Sequence, residues 1–133
     1  MTKIIKTIIV TGGAGRIGSV LAADLVKHGH KVLLGDINKS KLLKIKKKLN
    51  SKNIEIFQGD LTTKKNIDRF IKFGVKKFKN IHAAVHCSYP TSKKWGARLE
   101  DLKEINLKSD LQNQLITISV VFIGNLMSIL SKS

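Results

Sequence analysis

The chain has 133 residues, with 25 Lys+Arg against 9 Asp+Glu and a single cysteine, for a formal charge of +16. That length makes one domain burying roughly two-thirds of its unfolded surface, and it excludes an enzyme with separate cofactor and substrate domains. One cysteine excludes an internal disulfide framework and a cysteine-rich zinc site, so a reducing, cytoplasmic compartment is expected. No charged segment leads into an apolar run and cleavage site, so no secretory signal is expected.

In chain order, residues 4–10 (IIKTIIV) form a β-branched run ending at Thr11-Gly12-Gly13, which reads as a buried strand. Residues 16–28 carry Ile17, Leu21 and Leu25 at helical spacing, and Gly29 stops them as a C-cap. A second strand covers 31–35 and closes on Asp36. Residues 39–49 place Leu42, Ile45 and Leu49 on one helical face and lysines on the other. Strand three is 53–58, ending at Gly59-Asp60; a helix follows over 66–78, then strand four over 81–87. Such alternation predicts a parallel sheet covered on both faces. Residues 88–98 read as a loop, and Leu99 opens a long helix running into the 120s or beyond. Residues 111–131 carry no charge, but Gln112, Asn113, Gln114 and Asn125 dilute the run, favouring a buried or interface helix over a membrane span.

The segment Thr11-Gly12-Gly13-Ala14-Gly15-Arg16-Ile17-Gly18 contains G-x-G-x-x-G at Gly13, Gly15 and Gly18, directly after a strand and opening a helix. Glycines there allow a tight turn, then approach of the backbone to a pyrophosphate, then close helix–strand packing, with helix N-terminal amides aimed at the anion. Asp36 ends the second strand, where a carboxylate accepts both ribose hydroxyls of an adenosine. It repels a 2′-phosphate, and Ile37 and Asn38 bring no cation, so NAD is expected rather than NADP; Arg16 is the one basic residue in the glycine loop.

Together these residues resemble the short-chain dehydrogenase/reductase family over about residues 4–110. The Gly12/Gly15/Gly18 spacing is similar to that of the family's extended branch. Asp60-Leu61-Thr62 resembles its adenine-pocket segment. His86, Cys87, Ser88 and Tyr89 stand where strand four of the family ends in Asn-Asn-Ala-Gly. Val-His-Cys-Ser-Tyr-Pro, then Trp95-Gly96 and residues 99–102, are similar to a subgroup found with flagellin and surface-glycan modification genes. The resemblance implies an α/β Rossmann-like domain over 1–133, doubly wound, with about four strands in the order 3-2-1-4 and a long last helix. It implies that Gly12, Gly15, Arg16, Ile17, Gly18, Asp36, Asp60, Leu61, Cys87 and Ser88 meet the dinucleotide. Asn106 falls where the family carries a structural helix asparagine.

The family's chemistry uses a Ser after the next strand and a Tyr-x-x-x-Lys on the next helix, expected some tens of residues beyond Asn106, whereas this sequence ends at Ser133. Tyr89-Pro90-Thr91-Ser92-Lys93 fits the string, but Pro90 disfavours a helical Tyr89, so no catalytic residue is assigned. The chain therefore reads as a cofactor-binding part truncated before its catalytic residues, which leaves open whether it is an enzyme alone. Cys87 reads as a small hydrophobe without a positioned base, and His82 and His86 do not make a metal cluster with it.

Twenty-two of the 25 basic residues are lysine, and aromatics do not interleave with them, which favours solvated helix faces over nucleic-acid readout. The alternative is a non-catalytic dinucleotide-sensing or basic interaction module binding nucleic acid or protein, and a third is a frameshifted gene product. Strand four as an open edge, and the apolar last helix, predict self-association or a complementary chain.

Overall fold

The computed structural model describes residues 3–88, 98–101, 103–112 and 123–131. Four parallel strands form one sheet in the order β3-β2-β1-β4. They are β1 (Thr7–Thr11), β2 (Lys31–Asp36), β3 (Ile54–Gln58) and β4 (Ala83–His86). β1 lies inside, with Ile9 beside Leu33 on one flank and Ala84 on the other. All five of its residues are buried, as an inner parallel strand requires. Helices α1 (Arg16–Lys27), α2 (Lys39–Leu49) and α3 (Lys64–Phe78) make the crossovers between successive strands. This is the Rossmann-like, doubly wound architecture that the sequence pattern and the family resemblance imply.

Alternation along the strands divides the core in two. Ile8, Val10, Val32, Leu34 and Ile54 face α1 and α2, closing on Ala22 and Leu42. Ile9 and Leu33 face the other way, against Ile67, Phe70 and Ile71 of α3, with Leu126 and Ile129 of α5 (Ile123–Ser131) beside them. Gly74 lets α3 settle on the sheet: a Cβ there would stand 3.0 Å from Leu33 Cδ2.

Local chemistry fixes the helix limits. Asn38 Oδ1 accepts from the Lys41 N–H at the start of α2, and Thr63 Oγ1 accepts from the Asn66 N–H at the start of α3. With Thr63 as cap, α3 begins two residues earlier than the periodicity predicts. α1 ends at Lys27, and Gly29 takes up a φ of +84° just beyond it. β1 starts at Thr7 because its ladder with β2 starts at Thr7 and Lys31; Ile4 and Ile5 stand outside it, exposed.

The long helix expected from Leu99 is not what forms there. Leu99–Asp101 is a short 3-10 turn, with Arg98 paired to Glu100 and Asp101. Lys103 is extended, at φ −101° and ψ 152°, and α4 (Glu104–Leu111) begins after it. The Asn106 side chain accepts from the Lys103 N–H at 3.3 Å, the cap that starts this helix. The course between α4 and α5 lies outside the described residues, as do the expected loop over 89–97 and the Tyr89–Lys93 string. Among the described residues no helix is long and apolar enough to cross a membrane.

Phe70 is fully buried between α3 and the sheet, in ring contact with Phe57 at 5.5 Å. Phe70→Ala is expected to destabilise the fold by about 3–5 kcal/mol. Leu43→Ala, on the half-exposed side of α2, should change stability by no more than about 0.5 kcal/mol. Urea unfolding of the two variants checks the ordering.

Candidate functional site

The carboxyl ends of all four strands open onto one cleft of about 130 Å³, lined by Gly12, Asp36, Ile37, Gly59, Asp60, Leu61, Thr62 and Ser88. Each segment leaves the sheet there because its ladder stops. The Gly13 N–H donates to Gly35 O, and the Gly59 N–H donates to Asp36 O, stitching the strand ends together at the rim. In doubly wound folds the crevice beyond the strand ends is where ligands bind.

Gly12 forms the floor, in a left-handed conformation at φ +66°. A Cβ at this position would lie 2.5 Å from Ser88 N and 2.6 Å from the Cys87 carbonyl carbon, so the end of β4 rests directly on the glycine loop. Gly18 does the same on the helix side: its Cβ would stand 2.5 Å from Gly12 O. Gly15 caps α1 without a side-chain hydrogen bond, so no side chain competes for the amides of the first turn.

Asp36 is fixed in orientation. Its Oδ2 accepts from the Ala14 N–H at 3.1 Å and its Oδ1 from the Asn38 N–H at 2.9 Å. One carboxylate thus ties the glycine loop to the end of β2 and still faces the cleft. Asp60 builds the opposite wall: its Oδ1 accepts from the Thr62 N–H (3.0 Å) and the Thr62 hydroxyl (2.6 Å). Leu61 packs against Gly35, where an added Cβ would come within 2.6 Å of Leu61 Cδ1.

Of the residues singled out in the sequence, Gly12, Asp36, Asp60, Leu61 and Ser88 meet in this cleft. Gly15 and Gly18 shape the loop behind it. Arg16 and Ile17 line a separate, open apolar concavity on α1, and Ile17 is 75% exposed. Cys87 points away, half-buried against the α1–α2 core, where burial pushes its thiol pKa up and disfavours the thiolate. Asn106 sits in the first turn of α4, engaged in its cap. Ile37 and Gly59 line the cleft without having been singled out, and so does Thr62, which the sequence marked only as the end of the Asp60-Leu61-Thr62 segment. They directly follow Asp36 or flank Asp60-Leu61, so taking each strand end with its neighbours would have found them.

At the cleft's edge stands His86, paired in register with Thr11. Its Nδ1 lies 2.5 Å from the Thr11 hydroxyl. Burial lowers the imidazole pKa, and a backbone hydrogen bond with Ser88 offsets part of that effect.

A family model described as short chain dehydrogenase matches residues 6–125. The chain is similar to the post-translational flagellin modification protein A of Campylobacter coli, 32% identical over 94 residues, which are 68% of this chain and 37% of that protein. It is also similar to a diacetyl reductase ((S)-acetoin forming) of Staphylococcus epidermidis, 32% identical over 83 residues, 61% of this chain and 32% of that one. A solved short chain dehydrogenase from Mycobacterium smegmatis shares the fold at a TM-score of 0.83 and 19% identity, covering 97% of this chain and 53% of that one. The chain thus spans about a third of the length of these curated relatives and about half of that solved chain.

The folded chain disfavours a proton on His86, whereas the unfolded chain accepts one at about pH 6.5. Stability attached to the neutral ring is therefore present above that value and lost as the pH falls below it, until the folded ring itself protonates. Urea midpoints should drop between about pH 7.5 and pH 5.5, and His86→Asn should flatten that drop.

Proposed function

Because the chain belongs to the short chain dehydrogenase family, we propose that its cleft holds the adenosine half of a nicotinamide dinucleotide, NAD in preference to NADP. The observation that carries this reading is the Asp36 carboxylate, held by two backbone amides at the rim of the glycine loop. So oriented, it accepts the paired hydroxyls of an unmodified ribose and repels a phosphate on either of them. Leu61 and Ile37 offer apolar contact to the adenine ring beside it. Gly12, Gly15 and Gly18 bring backbone and the α1 N-terminus to the pyrophosphate, where the aligned peptide dipoles favour negative charge. Arg16 and Ile17 follow in the first turn, toward the second half of the cofactor.

Hydride transfer to a carbonyl needs an acid at the substrate oxygen. The chain's single tyrosine, Tyr89, precedes Pro90, a context that disfavours the helix from which a Tyr-x-x-x-Lys pair would act. The proposal is accordingly that this polypeptide binds the dinucleotide but does not reduce a carbonyl by itself. The similarity to flagellin modification protein A supports a nucleotide-sugar or surface-glycan substrate for the complete enzyme. Its catalytic residues are then supplied by a further polypeptide segment.

The same reading includes an assembly. Among the described residues β4 is hydrogen-bonded to β1 alone, so its other edge is an open template for a strand. Ile123 and Met127 on α5 are exposed. A second polypeptide, either another copy or a complementary chain, covers both.

Fluorescence titration with NADH should show saturable binding, weaker binding of NADPH, and no NADH oxidation on adding a ketone. Asp36→Ala removes charge-assisted hydrogen bonds worth about 1.5–3 kcal/mol, so NADH affinity should fall about tenfold or more and the preference over NADPH should shrink. Equal affinity of the wild type for both dinucleotides would overturn the assignment of Asp36. Light scattering should find the purified chain associated, and a monomer at high concentration would count against the assembly.

A further inference from the structure

The end of β4 bears on the cleft in a way that the glycine loop alone does not account for. Ser88 is a lining residue, yet it lies two residues beyond the last ladder position, His86. Its backbone must stay within van der Waals contact of Gly12, since the peptide joining Cys87 to Ser88 sits where a Gly12 Cβ would be. The backbone bond from the Cys87 N–H to Thr11 O, at 2.9 Å, is the last one the strands share. The His86 ring adds a further link: it meets the hydroxyl of Thr11, the residue that precedes Gly12. A fully buried threonine and a half-buried imidazole thereby clip together the two backbone segments that form one wall of the cleft.

We propose that His86, acting through Thr11, is a positioning residue that sets the distance between the glycine loop and the β4 end, and so the dinucleotide affinity. This rests on the reading of the cleft as a dinucleotide site. His86 touches no ligand in this role. Its side chain lies on the α3 side of the sheet, the same side as Ala84 and Ile9, and only the segments it holds reach the cleft. Neutral imidazole suits the task, because its Nδ1 can accept from the threonine hydroxyl. Asparagine offers an acceptor near the Nδ1 position on a shorter side chain.

The test compares NADH affinity of the wild type, His86→Ala, His86→Asn, Thr11→Val and the double variant Thr11→Val/His86→Ala, each at about 10 °C, where the folded state dominates. Expected are a loss of about fivefold or more for His86→Ala and for Thr11→Val, partial recovery in His86→Asn, and no further loss in the double variant, since both changes open the same link. A role in stability alone would lower the melting temperature of these variants and leave their NADH affinity unchanged when folded; that result overturns the proposal. Thr11→Val keeps the shape of the side chain, so it carries the test if His86→Ala does not fold. Should the wild type bind no dinucleotide, the reading of the cleft fails; should it bind and every folded variant bind equally well, the positioning role fails while the cleft stands.

Discussion

The structure turns on backbone-to-backbone contact at Gly12. Three segments converge there: the end of β1, the first turn of α1 through Gly18, and the Cys87–Ser88 peptide beyond β4. A single methyl group at either glycine would overlap main-chain atoms at about 2.5 Å, and main chain in a parallel ladder has little freedom to yield. The sheet order, the crossing of α1 over it and the width of the cleft are therefore not independent. They follow from letting three peptide segments meet without side chains between them, and the positive φ at Gly12 is the conformational condition for that meeting.

Much of this was legible in the sequence because it is encoded in residues with few alternatives. The run of β-branched residues before Gly12, the glycine spacing and Asp36 at a strand end constrain one another, and each falls where the pattern places it. The polar caps were present but easier to overlook. Thr63 begins α3 earlier than hydrophobic periodicity indicates, since a cap acts through one hydroxyl and leaves no mark on the apolar face. The region after β4 was less legible. Leu99 begins a helix-compatible stretch, yet the helix starts only after Lys103, because Asn106 caps it and Arg98 engages the two acidic residues of the preceding turn. Local side-chain hydrogen bonds of this kind compete with helix propensity, and periodicity does not register them. The Thr11–His86 link was hidden for a different reason: it joins residues 75 apart, which only the register of β1 and β4 brings together.

The charge of +16 takes on a location in the folded chain. Lys27, Lys46, Lys47, Lys48, Lys76 and Lys77 occupy the last turns of α1, α2 and α3, where the helix dipole presents negative charge. Others lie along aromatic faces: Lys31 stands 5.9 Å from the centroid of Phe78, and Lys77 stands 5.6 Å from that of Phe73. In a right-handed crossover the helix C-termini sit at the edge of the sheet opposite the cleft, so this group is remote from Asp36 and Asp60. Lys39, Lys64 and Lys65 sit at the other helix ends, nearer the cleft. There they act against the dipoles of their own helices, but they raise the positive potential around the cleft. The lysines thus gather at helix termini at one end of the sheet and stand nearer the cleft at the other.

Within that field the Asp36 carboxylate gains its meaning. An exposed aspartate among so many lysines would ordinarily be drawn into ion pairs, as Glu55 is with Lys46 and Asp68 with Lys64. Among the described residues Asp36 has no such partner and is occupied by two backbone amides, from Ala14 and Asn38. Amides fix its direction without bringing a countercharge, and its oxygens remain hydrogen-bond acceptors at the rim. In the proposed binding mode a lysine partner would cancel the repulsion that separates an unmodified ribose from a phosphorylated one. Discrimination in that mode depends less on the presence of an acid than on the backbone turn that occupies the acid with amides. That turn is the glycine loop, which places the Ala14 amide within reach only because Gly12 and Gly13 leave room for it against Ser88 and Leu34.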